Sequence, residues 1–288
     1  MSRARILVVA LVALGCAAPA PAQLTLAKDN AIVYGHHHIA ASDIAAHKKF
    51  FVDALGGTAI TFGPQKADVV KFPNVLIFFR VNQKPTGGTR GTTVNHIGFS
   101  VPDLKAAVAR IKANGFPMIT RTEVAATQQV VDDIAPVNAN VSIAFALGPD
   151  DVKVELVEQK QQTVPIMLHH VHFFGPQNTE MQAWYAKTFG AKMVPPNPAQ
   201  AFVQDTLPGL ALNFTPSPTA TVGTTGRAID HIGFEVKNLE AFTKKLEADG
   251  IKLDRPYTKV AALNIAIAFI KDPWGTNIEM SEGLDTVK

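Results

Sequence analysis

Five consecutive residues occur twice in this chain, almost unchanged. Asn95-His96-Ile97-Gly98-Phe99 returns 135 positions later as Asp230-His231-Ile232-Gly233-Phe234. Setting His36 on His170, an offset of 134, aligns Tyr34-Gly35-His36-His37-His38 with Leu168-His169-His170-Val171-His172. The same alignment puts Phe50-Phe51 on Trp184-Tyr185 and Gly56-Gly57 near Gly190-Ala191. Further on, Ser142-Ile143-Ala144-Phe145 matches Ala266-Ile267-Ala268-Phe269, and Pro149 to Glu155 matches Pro273 to Glu279 with identical spacing. A duplicated chain must bury the same pattern of apolar faces twice, which restricts its fold more than length does.

Each half repeats again, more loosely. The stretches 35–81, 94–157, 169–214 and 229–280 each read as a short strand around a histidine, an amphipathic helix, then several strands. In the helix from Asp103 to Asn114, Leu104, Ala107, Val108 and Ile111 share one face; in that from Leu239 to Asp249, Phe242 and Leu246 do. Asp103 and Asn238 stand where N-caps belong, and Gly115 and Gly250 where left-handed C-caps belong. Apolar, β-rich runs complete the units at 75–81, 141–147, 152–157, 265–270 and 276–280. Connectors rich in Gly, Pro and Thr, at 85–93 and 215–226, join units within a half, and 159–165 joins the halves.

Four such units in tandem, with a His on each first strand and Asp272-Pro273-Trp274-Gly275-Thr276-Asn277-Ile278-Glu279 near the end, resemble the vicinal oxygen chelate superfamily. That superfamily groups glyoxalase I, extradiol dioxygenases, fosfomycin-resistance enzymes and bleomycin-binding proteins. The resemblance implies an α+β fold of four βαβββ modules. Paired modules form two eight-stranded, partly open, cup-like barrels, each with a metal near its centre. By sequence the two domains are residues 31–158 and 166–283. The spacing leaves open whether module one pairs with module two or with module four.

The family's ligand positions are the first strand of an odd module and the first and last strands of an even one. Read half by half, they give His36, His96 and Glu155, then His170, His231 and Glu279. Two His and one carboxylate suit one divalent cation per domain, with Fe(II), Mn(II), Zn(II), Ni(II) and Co(II) all acceptable. Glu155 is bracketed by apolar Val154 and Leu156, and Glu279 by Ile278 and Met280, so both face inward where a cation would offset their burial. His38 and His172 follow His36 and His170 by two and share their faces. They are expected to be acid/base or substrate-binding groups, and His37 and His169 to face away.

Extradiol dioxygenases carry a tyrosine about ten residues before the last ligand; here the positions read Phe145 and Phe269, which donate no hydrogen bond. Both are expected to line a substrate pocket. Glyoxalase I takes a further carboxylate ligand from the last strand of the odd module, and 75–79 and 210–214 contain none. The resemblance therefore implies a metal-dependent enzyme of lyase, isomerase or dioxygenase type that polarises adjacent oxygens of a small organic substrate. The alternative is a binding protein that sequesters a small molecule, as bleomycin-binding proteins do. His96 to Glu155 spans 59 residues and His231 to Glu279 spans 48; the extra eleven fall in 121–140, read as a loop over the first cup.

Arg3 and Arg5, the apolar run 6–14 and Ala20-Pro21-Ala22 form the pattern of a cleavable secretory signal over residues 1–22. Cleavage after Ala22 and a periplasmic or secreted location are expected. Cys16 offers a lipoprotein alternative, weakened because Ala13 stands where leucine is usual. Removing Arg3 and Arg5 leaves 25 basic against 24 acidic residues. No Lys/Arg run reaches five and no later stretch is apolar enough to span a bilayer, so neither nucleic acid nor membrane is an expected partner. A single cysteine excludes a disulfide scaffold and a Cys-based zinc cluster. Four modules in one chain supply both cups, so the sites do not require a dimer.

Overall fold

A computed structural model describes residues 26–81 and 83–287. Residues 1–22, read from the sequence as a secretory signal, and with them Cys16, lie outside the described residues. Module one comprises β1 (Ile32–Ala40), a helix α1 (Ile44–Lys48) that continues as a π-helical turn over Lys49–Ala54, β2 (Thr58–Phe62), β3 (Ala67–Phe72) and β4 (Val75–Arg80). Module two comprises β5 (Val94–Val101), α2 (Leu104–Ala113), β6 (Ala135–Pro136), β7 (Ser142–Leu147) and β8 (Lys153–Glu158). Module three comprises β9 (Met167–Gly175), α3 (Asn178–Phe189), β10 (Lys192–Met193), β11 (Val203–Leu207) and β12 (Leu210–Pro216). Module four comprises β13 (Ile229–Val236), α4 (Leu239–Ala248), β14 (Leu253–Val260), β15 (Ile265–Lys271) and β16 (Asn277–Glu282).

Helix boundaries follow the capping chemistry. The Asp103 side chain accepts from the amide of Ala106, and that of Asn238 from Ala241, each satisfying an N-terminal donor the helix cannot use itself. Gly115 (φ +86°) and Gly250 (φ +80°) take the left-handed conformation just beyond the helix ends, where a side chain would be strained.

The sixteen strands form two mixed, open eight-stranded sheets. The first runs β14-β15-β16-β13-β1-β4-β3-β2 and the second β10-β11-β12-β9-β5-β8-β7-β6. Module one therefore pairs with module four, and module two with module three. At each centre two first strands meet antiparallel, β1 on β13 and β9 on β5. Each is flanked by the parallel last strand of its own module: β4 beside β1, β16 beside β13, β8 beside β5 and β12 beside β9. The cups thus do not coincide with the halves: each takes one module from 31–158 and one from 166–283.

Side-chain alternation separates the two sheet faces. On β5, Ile97, Phe99 and Val101 enter the core while His96 and Gly98 face the cup; on β13, Ile232, Phe234 and Val236 enter the core. The core joins modules of the same half back to back. Phe72 of module one lies 4.6 Å from Phe99 of module two, ring to ring, and Phe189 of module three stacks at 4.1 Å on Phe234 of module four. Polar contacts follow the same pairing: Asp150 accepts from the Ser42 amide and hydroxyl and lies 2.9 Å from His47 Nε2, while Tyr185 donates to Asp272 at 3.0 Å. Each half is thus a unit of packing, and each cup a single hydrogen-bonded sheet.

Among the described residues no helix is long and apolar enough to cross a membrane. The insertion 121–140 belongs to module two and so stands on the second cup. Part of it is ordered, with a helical turn at Thr120–Glu123 and the edge strand β6, and Thr120 donates to the carbonyl of Asp133 at 2.6 Å.

Candidate metal centres

One row of residues crosses each sheet in register. In the first cup it reads Leu76, His36, Gly233, Glu279, Phe269 across β4, β1, β13, β16 and β15. In the second it reads Ala211, His170, Gly98, Glu155, Phe145 across β12, β9, β5, β8 and β7. The glycine in each row leaves open the space the imidazole fills: a Cβ at Gly233 would lie 2.1 Å from Cε1 of His36, and one at Gly98 2.1 Å from Cε1 of His170. A second row places His38 opposite His231 and His96 opposite His172.

Two clusters result. In the first, Glu279 Oε2 lies 2.9 Å from His231 Nε2, 3.3 Å from His36 Nε2 and 3.6 Å from His38 Nε2. In the second, Glu155 Oε2 lies 2.9 Å from His96 Nε2 and 3.2 Å from His170 Nε2. With His172 added to the second, each cluster offers four ligand atoms within 4.8 Å of one another and can hold a metal ion. Grouping the ligands half by half is overturned: His36 joins His231 and Glu279 from the other half, and His170 joins His96 and Glu155. The cause is the pairing of β1 with β13 and of β9 with β5.

The donor set fits a cation. His36 is fully buried, yet neither ring nitrogen has a hydrogen-bond partner among the described residues; His170 Nε2 and His172 Nδ1 are likewise buried and unpartnered. Buried polar atoms without partners are costly, and a cation at the focus would satisfy them. Burial alone would raise the Glu279 carboxyl, but the hydrogen bond from His231 and the nearby imidazoles of His36 and His38 outweigh it and hold it well below the usual range. Glu155 is lowered too, its burial outweighed by the His170 imidazole 3.2 Å away and by the hydrogen bond from His96. Both carboxylates are therefore charged and ready as ligands.

The even-module histidines differ. Burial lowers His231, but bonds to Asp230 and Glu279 raise it more, so it ends above its ordinary value. Burial pushes His96 down to about 3, and its Nδ1 faces only the neutral Asn95.

His38 and His172 both face their cups. His38 lies between Phe78, stacked at 4.9 Å, and His231, stacked at 4.2 Å. His172 Nε2 lies 2.8 Å from Thr215 Oγ1. Burial lowers both rings well below the usual histidine value, His38 and His172 each further depressed by a neighbouring imidazole. Phe269 packs edge-on against His231 and Phe145 against His96, each at 5.5 Å. His37 does face away, buried in the core with its Nδ1 2.8 Å from Tyr34 Oη. His169 is no member of the second cluster, but its Nδ1 lies 2.9 Å from His170 Nδ1.

Sequence reading passed over three polar neighbours. Asp230 Oδ1 lies 2.7 Å from His231 Nδ1, and Arg80 Nη1 donates to the same oxygen at 2.6 Å. Lys153, buried in the second cup, donates to Glu123 of the insertion at 2.7 Å. The dipeptides Asp230-His231 and Asn95-His96 were the available signal, since a residue beside a ligand is placed to fix its ring.

Known proteins bear on the fold and family. Residues 35–131 and 167–280 each match a family model described as the glyoxalase/bleomycin resistance protein/dioxygenase superfamily. No curated protein sequence matches the chain. Glyoxalase I from Zea mays is similar in structure, with a TM-score of 0.65 and 18% identity over 90% of this chain and 95% of that one. A point variant of that enzyme gives 0.64 and 17%, covering 91% and 98%. A Bacillus subtilis protein with a provisional dioxygenase name gives 0.62 and 11%, covering 88% and 86%. At such identities the structural likeness establishes the fold alone. The two family matches, one in each half, go further: the chain belongs to the glyoxalase/bleomycin resistance protein/dioxygenase superfamily.

Proposed function

We propose that the protein is an exported, divalent-metal-dependent enzyme acting on a small organic substrate with adjacent oxygens, by lyase, isomerase or dioxygenase chemistry. The observation that carries this reading is the convergence of unpartnered, buried imidazole nitrogens on one carboxylate oxygen, twice in one chain. His36, His231 and Glu279 would hold one cation, and His170, His96 and Glu155 the other. A bound cation would act as a Lewis acid towards the substrate oxygens.

The surrounding residues have separate tasks. Glu279 and Glu155 supply negative charge without needing to lose a proton first. Phe269 and Phe145 wall the even-module histidines and keep water from that side. The His38 side chain is 24% exposed, which makes it the cluster member that reaches the mouth of the first cup. Its Nε2, 3.6 Å from Glu279 Oε2, would stand beside a bound substrate as the group that accepts a proton from it. The odd-module strands offer no carboxylate in either row, only Leu76 and Ala211, so a glyoxalase-type fourth acid is replaced by the extra imidazole of His38 or His172.

Metal analysis of purified protein tests the reading. Wild type is expected to carry two divalent ions per chain, and His36→Ala and His170→Ala one each. A chain with no bound ion whose melting temperature ignores chelator would instead be a small-molecule binder. Sequencing the amino terminus of protein recovered from the periplasm or medium tests export, with Gln23 expected first.

A further inference from the structure

The two clusters match in geometry but not in what stands behind them. The residue preceding the even-module histidine is Asp230 in the first cup and Asn95 in the second. Asp230 Oδ1 lies 2.7 Å from His231 Nδ1, and Asn95 Oδ1 lies 3.0 Å from His96 Nδ1. A carboxylate only accepts, so it fixes the His231 proton on Nδ1 and leaves the Nε2 lone pair for a cation. An amide can present either its oxygen or its NH2, and it carries no charge. It therefore enforces neither the tautomer nor the basicity of His96.

Asp230 is itself held in place. It is 1% exposed, and the Gly226 amide donates to its second oxygen at 2.7 Å. Arg80 shares its first oxygen, but that side chain is 40% exposed, so solvent screens part of its positive charge.

The extra histidines diverge in the same direction. His38 Nε2 points at Glu279 Oε2, 3.6 Å away, whereas His172 Nε2 lies 2.8 Å from the Thr215 hydroxyl. A buried ammonium, Lys153, shares the cup face of β8 with Glu155; its counterpart beside Glu279 is the neutral Asn277. Glu123 pairs with that ammonium and offsets its charge in part. One feature opposes the trend: His170 Nδ1 has His169 as a neighbour and His36 Nδ1 has none. That neighbour is another imidazole, not a carboxylate, and supplies no negative charge.

We infer that the two centres are unequal: the first cup, built on His36, His38, His231 and Glu279, binds a divalent cation at least tenfold more tightly than the second. The chain then fills in order and holds a single ion over a range of metal concentration. This rests on the metal reading above and adds to it an order set by Asp230 and Asn95.

The test is a titration of chelator-stripped, full-length protein with Co(II), followed by heat and by visible absorbance. Two steps are expected. His36→Ala removes the tight step and His170→Ala the weak one. Asp230→Asn weakens the tight step by about tenfold, and Asn95→Asp strengthens the weak step by a similar factor. Metal-free melting of each variant reports whether it folds. Asn95→Asp keeps the test decisive if Asp230→Asn does not fold, because Asn95 has no counterpart of Arg80 to strand. Two equal sites, loss of the tight step in His170→Ala, or an unchanged weak step in Asn95→Asp overturns the order. Failure of wild type to take up Co(II) at all overturns the metal reading instead.

Discussion

Gly233 makes room for His36. The two are cross-strand partners on β13 and β1, and a methyl group at Gly233 would lie 2.1 Å from Cε1 of the His36 ring. Glu279 is the next residue in the same row, so the imidazole reaches its carboxylate by crossing over a backbone with no side chain. Gly98, His170 and Glu155 repeat the arrangement in the second cup.

Gly233→Ala should therefore expel His36 from its cluster and remove one bound ion, leaving the second centre intact. Gly98→Ala should do the reverse. Overpacking of this kind typically costs about 1–3 kcal/mol, so both variants should still fold if the parent has ordinary stability. Metal content per folded chain is the readout, and loss of both ions from either variant would contradict the independence of the cups.

The crossed pairing of modules makes a prediction that no half-by-half grouping shares. His36→Ala and Glu279→Gln, though 243 positions apart, should remove the same ion. The double variant should retain one ion per chain. His36→Ala combined with Glu155→Gln, both in the first half, should retain none. Counting ions in the two doubles decides the matter.

A buried carboxyl outside the clusters gives a pH prediction. Asp205 on β11 is fully buried, neither of its oxygens has a hydrogen-bond partner among the described residues, and the nearby Gln182 spends its amide on the Gln204 carbonyl. Burial pushes the group up from 3.8 to about 6, with Gln182 pulling weakly the other way. A carboxyl raised in the folded state binds more protons there than in the unfolded chain, so its contribution is greatest below pH 3.8 and is lost as pH rises towards 6. Asp205→Asn should then nearly match wild type at pH 4 and exceed it by roughly 3 kcal/mol above pH 7. Urea unfolding at the two pH values measures the difference, and equal stability at pH 7 would show that folding does not raise this carboxyl.

Tyr185 tests the contact between modules of one half. Its hydroxyl donates to Asp272, which also accepts the amides of Trp274 and Thr276 and so holds the turn before β16. Tyr185→Phe should cost about 1.5–3 kcal/mol, as expected for a buried hydrogen bond to a charged group. Asp272→Ala should cost more, because two turn amides lose their acceptor as well. Denaturant midpoints compare the two.

Much of this was legible before any coordinates. The repeat fixed the four modules, and the Asp103, Asn238, Gly115 and Gly250 signals marked helix ends, because capping is a local hydrogen-bonding matter. Strand alternation put Glu155, Glu279, His36 and His38 on cup faces. The neighbours of the ligands were harder to read. Asp230 and His231 are adjacent in sequence, and alternation assigns them to opposite faces; only the turn of the ring brings Nδ1 back to the carboxylate. The bond between His169 and His170 escaped for the same reason.

Which half completes which cluster was not written in the chain's pattern. The strands around His96 and His231 differ in five residues only at Asn95 and Asp230, so either offers β1 an equivalent ladder. Backbone hydrogen bonds do not discriminate between such strands. The crossed arrangement has a contact that does. Arg80 of module one meets the carboxylate of Asp230 in module four, where Asn95 would offer only an amide. Local periodicity thus determined what the modules are and which residues face inward. Long-range packing, acting between modules distant in the chain, decided their partners.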